Sequence, residues 1–285
     1  MVKLKVEGVS EPSTPESPLI SDPLSARHDV ACIVVNWSTP DDLKRCIDSA
    51  FKIEGPMYWS IFQNHYPELE KENHRAIMGS IAGRSQWTMV QHGKENHGHG
   101  YGTNRGAEVA IQWFDPEYLF LVNPDCVWVE PIMDRLVTFM EEHPVAAVVG
   151  PKQMDSSSRI TAAGILGTME KPRHRYWRYR DPANKMARDS FQAPTVAGSA
   201  MLVRAKVFEE LGGLMEGKHY YSETWFNYHA QIHGYEVWYY GDPWMIHEWH
   251  RSSPHGSELT DGSMKADREI FREKCDAHNP SIPHD

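Results

Sequence analysis

The chain has 285 residues, 40% hydrophobic and 24% charged. That is enough apolar material for one large domain or two small ones without disulfide or metal staples. Its 29 basic and 39 acidic residues leave a formal net charge of −10, which argues against a binder held on nucleic acid or membrane by a general basic field. No apolar run reaches the ~20 residues that span a bilayer, and the N-terminus lacks the basic-then-apolar order of a secretory signal. The four cysteines, Cys32, Cys46, Cys126 and Cys275, are scattered without a CxxC pair. They read as buried thiols of a reducing compartment, which places the chain in the cytoplasm. Sixteen histidines are a reason to look for a metal.

Residues 1–28, with the run Glu11-Pro12-Ser13-Thr14-Pro15, hold too few large apolar groups to offset the entropy of ordering and read as a disordered tail. Order is expected from Val30-Ala31-Cys32-Ile33-Val34-Val35, a strand buried on both faces and ended by Asn36. Pro40-Asp41-Asp42 opens a helix carrying Leu43, Cys46, Ile47 and Ala50 at helical spacing. Tyr58 to Phe62 and Trp87 to Val90 are candidate strands, and the polar stretch between them is a surface helix or loop. Asn96 to Gly102 reads as a glycine-rich turn leading into a helix with Ala107, Ala110 and Ile111. Tyr118 to Val122 is a further buried strand, stopped by Asn123-Pro124-Asp125. A helix with Val129, Ile132, Met133, Leu136 and Met140 on one face comes next, then a strand from Ala146 to Val149. The alternation over residues 30–150 predicts an α/β fold: a mainly parallel central sheet with helices on both faces and ligands at the carboxyl ends of the strands. Further on, Thr195 to Val203 and Val237 to Tyr240 read as strands. Residues 205–211 and Glu223 to His233 read as helices, and Met264 to Lys274 as a charged helix in a C-terminal extension over 256–285.

Five stretches carry candidate chemistry. Asp125, just past a buried strand, supplies a hard oxygen ligand suited to Mg2+ or Mn2+ and through it to a diphosphate, unless it merely ends a Pro-Asp turn. The glycines at 98, 100 and 102 could let backbone approach a phosphate, or could form a plain surface loop; they do not match G-x-G-x-x-G. His247, with Glu248, His250 and His255 nearby, could ligate a metal, though the pattern is not H-E-x-x-H. Glu223, after Tyr220-Tyr221-Ser222, is either a helix-dipole acid or a general base. The basic and aromatic run Lys171 to Arg180 is either a solvated face or a contact for phosphate and sugar.

In this order the pieces resemble glycosyltransferase family 2, the GT-A nucleotide-sugar transferases, and within it the rhamnosyltransferase-like branch. The matching stretches are VACIVVNW at Val30–Trp37, NHGHGYGTNRG at Asn96–Gly106, LVNPD at Leu121–Asp125, AGSAMLVR at Ala197–Arg204 with Gly212-Gly213, and Ser222-Glu223 through Tyr235 with His247 and Ser252. LVNPD is similar to the family's variant DxD motif, with Asn in place of the first Asp. Two departures stand out: Gly212-Gly213-Leu214-Met215-Glu216 where the family has Gly-Gly-Phe-Asp-Glu, and Glu223-Thr224 where it has Glu-Asp.

The resemblance implies a GT-A, Rossmann-like domain over 29–255. It implies an inverting hexosyltransferase that moves a sugar from a nucleotide-diphosphate donor to a hydroxyl of a glycan or other acceptor. Mn2+ or Mg2+ would be held by Asp125 and His247, and Glu223 would be the base. Asn36 and Asn64 would frame the nucleoside base, and Asn96, Gly98, Asn104, Arg105 and Asn123 the ribose and phosphates. The aromatic neighbours of Glu223 are expected to raise its pKa. A nucleotide-sugar-binding module without activity, and a zinc hydrolase built on His247, His250 and Asp125, are the alternatives.

Overall fold

The computed structural model describes residues 29–84, 87–167, 172–216, 220–248 and 258–278; the N-terminal tail, Lys171, His250, Ser252 and His255 lie outside them. In chain order the first half runs β1 (Val30–Asn36), α1 (Pro40–Ile53), β2 (Tyr58–Gln63), a 3-10 turn at Pro67–Leu69, α2 (Glu70–Ile81), β3 (Thr88–His92), α3 (His99–Phe114), β4 (Tyr118–Val122), β5 (Cys126–Val127), α4 (Met133–Glu142) and β6 (Ala146–Met154). The second half runs β7 (Ile160–Ala162), β8 (Ile165–Gly167), β9 (Pro172–His174), β10 (Ser190–Gln192), β11 (Ala200–Arg204), α5 (Ala205–Glu210), α6 (Ser222–Ile232), β12 (Glu236–His247) and α7 (Glu258–His278).

The main sheet has the order β10-β12-β6-β11-β4-β1-β2-β3. β3, β2, β1 and β4 are mutually parallel. β11 is antiparallel to both β4 and β6, and these two reversals restore the direction. β6 and β12, parallel to each other, therefore point the same way as β4, and the carboxyl ends of β1, β2, β4, β6 and β12 share one edge. β8 and β9 form a separate hairpin.

β1 shows why the apolar runs are continuous. Val30, Cys32 and Val34 pack with α1, α2 and α4 on one face, while Ala31 and Ile33 pack with α3, α5 and α6 on the other. A strand alternates its side chains between faces, so burial on both demands apolar residues at every position. α7 packs through Phe271 against Met215, Trp225 and Tyr228 in a third cluster.

Four sequence expectations change. The helix expected to carry Val129 and Ile132 begins at Met133. The strand expected from Thr195 begins at Ala200. The final strand runs on to His247 instead of ending at Tyr240, with a register shift between Tyr240 and Trp244 that absorbs Gly241-Asp242-Pro243. Such a shift is where a strand tolerates proline. Of the glycine-rich turn expected over Asn96–Gly102 only Asn96 to Gly98 precede the helix, since α3 begins at His99. A Cβ at Gly100 would lie 2.2 Å from the Met215 carbonyl oxygen, one at Gly102 2.8 Å from Val35, and one at Gly106 2.8 Å from Ile33. These glycines let α3 lie close on β1 and the 212–216 turn.

Candidate active site

The carboxyl ends of β1 and β4, the end of β12 and the first turns of α3 and α6 surround a cleft of about 450 Å³. Of the residues singled out from sequence, Asn64, Asn96, Gly98, Asn123, Asp125, Glu223 and His247 line it.

Asp125 is placed by the turn that ends β4. The Asn123 N–H donates to the Ser199 carbonyl at 2.9 Å and the Cys126 N–H to the Asn123 carbonyl at 3.1 Å. β5 then pairs antiparallel with the end of β12, setting Cys126 opposite His247. The added length of β12 is thus what delivers His247 to Asp125. Asp125 Oδ1 lies 3.5 Å from His247 Nε2, and each residue is 6% exposed. Asp125, Cys126 and His247 offer donor atoms within 4.8 Å of one another, the one such group among the described residues. Two donors about 2.1 Å from one ion and at right angles stand about 3 Å apart, so the Asp125–His247 spacing fits a hard divalent cation after a small adjustment. The Cys126 thiol donates to the Ser199 carbonyl at 3.1 Å. Burial, and then the charge of Asp125, push its pKa well up, which leaves oxygen and nitrogen as the natural ligands.

Across the cleft, Glu223 Oε1 stands 3.0 Å from His99 Nε2, both side chains partly open to solvent. His99 is the first residue of α3 and Glu223 the second of α6. α7 supports this corner: the Tyr220 N–H donates to Asp267 at 3.1 Å, and Tyr221, at φ 66°, stacks on Phe271. Gly198 makes room, because a Cβ there would lie 2.3 Å from Glu223 Cγ. The expected rise in the Glu223 pKa is corrected. Burial does push the carboxyl up, but the His99 hydrogen bond and charge outweigh it and hold Glu223 below its ordinary 4.5. For His99, burial pulls down, and Glu223 more than reverses this to hold it above 6.5. Sequence reasoning missed His99, which sits in a histidine- and glycine-rich run with no local signal to distinguish it.

Asn64 is 3% exposed. Its Nδ2 donates to the Gly98 carbonyl at 3.2 Å, while its buried Oδ1 has no partner. It lies between the cleft and a second cavity of about 630 Å³, bounded also by Gln63, Tyr66, Asn73 and His92. The Asn96 side chain accepts from the Gly98 N–H at 3.0 Å, and Gly98, at φ 89°, needs the freedom of glycine.

Three candidates lie elsewhere. Asn36 is fully buried; it donates to Gln63 and Asn73 at 2.7 and 2.9 Å and accepts from Thr39 at 3.3 Å. It therefore sets the side chains around the second cavity from behind. Asn104 clamps the 212–216 turn, donating to the Leu214 carbonyl and Glu216 and accepting from the Leu214 N–H, all at 2.8–2.9 Å. Arg105 pairs with Glu108 and Glu216. None of the three lines the cleft.

The sequence model of the family described as Glycosyltransferase like family 2 matches residues 27–269. No curated protein matches the sequence. Among solved structures, a mannosyltransferase from Pyrobaculum calidifontis in complex with GDP-Man and Mn2+ superposes with a TM-score of 0.63 at 11% identity, over 91% of this chain and 67% of that one. TarS of S. aureus in complex with UDP-GlcNAc gives 0.55 at 14% identity, over 85% and 66%. GalNAc-T7 with UDP, GalNAc and Mn2+ gives 0.57 at 15% identity, over 88% and 50%. The chain thus spans half to two thirds of the length of these structures. At such identities the likeness is one of fold, and it is the α/β fold expected from the sequence.

Proposed function

Given that the chain belongs to the glycosyltransferase like family 2 and has the GT-A fold of a nucleotide-sugar glycosyltransferase, we propose that it is an inverting, metal-dependent hexosyltransferase acting on a hydroxyl acceptor. One observation carries this reading. The Asp125–His247 pair and the Glu223 carboxylate open into the same cleft from different elements. A leaving diphosphate and an acceptor hydroxyl need such separate groups.

In this reading Asp125 and His247 hold Mn2+ or Mg2+, which when bound supplies Lewis-acid stabilisation of the departing diphosphate. Asn64 Oδ1, buried without a partner, accepts from an N–H or hydroxyl of the nucleoside as it enters the second cavity; an unmet acceptor of this kind gains most from a ligand donor. Asn96 holds Gly98 in place beside it. Tyr220 and Tyr221 line the cleft beside Glu223, and aromatic rings of this kind pack on sugars. Glu223 accepts the proton of the acceptor hydroxyl while the oxygen attacks the anomeric carbon opposite the diphosphate, inverting its configuration. His99 keeps Glu223 ionised and oriented. The free cysteines suit the reducing cytoplasm, and no described helix is long and apolar enough to cross a membrane.

The test is incubation with a panel of nucleotide sugars (GDP-mannose, UDP-N-acetylglucosamine, dTDP-rhamnose), Mn2+ and glycan acceptors. Nucleoside diphosphate release and product configuration are read by NMR. Inverted product supports the reading; retained configuration contradicts it, and donor binding without transfer to any acceptor identifies a binding module.

A further inference from the structure

A cationic surface borders the cleft in a chain of net charge −10. Segment 175–181 runs beside residues 158–160, joined by the hydrogen bonds Ile160 N–H to Tyr179 O, Arg178 N–H to Ile160 O and Asp181 N–H to Ser158 O. Within it Arg159 and Arg180 face each other as an antiparallel bridge. Like charges directly opposite each other destabilise a strand pair, and no ion pair with an acid relieves them among the described residues. Arg159, Arg173, Arg178 and Arg180 have no ion pair among the described residues. The described acids close in sequence are already engaged: Asp181 with the buried Lys152, Asp189 with Arg175, and Asp155 with the N–H groups of Ser157 and Arg159.

Aromatic rings interleave the charges. Tyr176 and Tyr179 are 37% and 62% exposed and meet edge to face. Large exposed rings that alternate along the segment with guanidinium groups making no ion pair among the described residues suit a ligand with both apolar sugar faces and anions. Tyr176 and Arg178 also hold left-handed backbone, at φ 52° and 60°, which non-glycine residues adopt at a cost. The surface leads into the cleft. Thr161, Ile165 and His174 line the cleft wall; Arg159 is two residues from Thr161, about 7 Å along the chain, while Arg173, next to His174 in β9, falls on the other face of that strand.

We propose that this surface binds an acidic glycan, a saccharide chain bearing phosphodiesters or carboxylates, and presents its hydroxyl to the cleft as the acceptor. The acceptor role rests on the glycosyltransferase reading above; the binding does not. Arginine forks match phosphate and carboxylate oxygens two at a time, the tyrosines pack on the intervening rings, and the negative charge elsewhere on the protein confines the polyanion to this face.

The experiment uses the full chain and measures binding of a glycerol-phosphate polymer, polygalacturonate, neutral dextran and a single-stranded oligonucleotide at low and high salt. The R159Q/R178Q/R180Q variant is compared with R268Q/R272Q, which removes two charges from exposed positions of α7. One or both acidic polymers should bind, more weakly in high salt. Each cationic group near an anionic surface is worth about fivefold, so the triple variant should lose roughly 100-fold in affinity while the α7 variant keeps the parent value. The two polymers tell phosphate from carboxylate. Equal binding by parent and triple variant, equal binding of dextran, or tighter binding of the oligonucleotide would overturn the proposal. Nucleoside diphosphate binding with Mn2+, measured on the same samples, should be the same in parent and triple variant. Its absence from the parent would count against the glycosyltransferase mechanism and leave the glycan result to stand or fall alone.

Discussion

Glu223 on α6 and His99 on α3 meet at 3.0 Å, although 124 positions separate 99 from 223 in the sequence. Each holds the other in its charged form. Glu223 is held below its ordinary 4.5, and the charge state it stabilises is present above that value and lost as pH falls through the depressed one. His99 is held above 6.5, and its contribution is complete below 6.5 and lost as pH rises through the raised value. The ion pair therefore spans the interval between the two shifted values.

If Glu223 is the base, the acidic limb of kcat in the parent should lie below pH 4.5, and the H99Q variant should shift that limb to higher pH by removing the cation. E223Q should lower kcat by about 10²–10⁴ with little change in nucleotide-sugar affinity. A pH–rate profile of H99Q that superimposes on that of the parent would show that the pair does not govern the reaction.

Gly198 tests the same carboxylate from behind. A methyl group there would overlap Glu223 Cγ, 2.3 Å from the position of its Cβ. The G198A variant should push Glu223 from His99 and lose kcat as E223Q does, while still binding nucleoside diphosphate. Unchanged turnover in a folded G198A protein would mean that the position of Glu223 is not critical.

Asn104 separates stability from binding. Its side chain joins α3 to Leu214 through buried hydrogen bonds, and N104A leaves a buried N–H and carbonyl unmet at a cost of about 1–3 kcal/mol. Its melting temperature should fall by roughly 2–4 °C for each kcal/mol. Nucleotide affinity of the folded protein should be unchanged. A selective loss of nucleotide binding without a change in melting would return Asn104 to the donor site.

Much of this fold could be read in the sequence because burial on both faces forces unbroken apolar runs. β1 and β4 show that pattern, and α1 shows its buried stripe after Pro40. The place of Asp125 at the cleft was legible for a related reason, since a proline and a carboxylate directly after a buried strand mark the edge where such sheets bind ligands. Three things were not legible. Gly241-Asp242-Pro243 looks like a strand end, but a register shift carries β12 past it to His247. The glycines at 98, 100 and 102 look like a turn, yet from Gly100 onward they serve the close packing of a helix. The role of His99 depends on a partner brought from α6, and no spacing rule reaches across such a distance.

The most direct measurement is calorimetric titration of GDP and UDP into the parent and D125A proteins, with Mn2+ and with chelator. Asp125 lies past the end of β4 at the base of the cleft and 3.5 Å from His247, so D125A should fold and lose only the cation-dependent interaction. The parent should bind at least one nucleotide in Mn2+ and lose most of that affinity in chelator, while D125A should bind weakly and equally in both. Mn2+-dependent binding of the same strength in D125A and parent would contradict a cation held by Asp125 and His247 in this cleft.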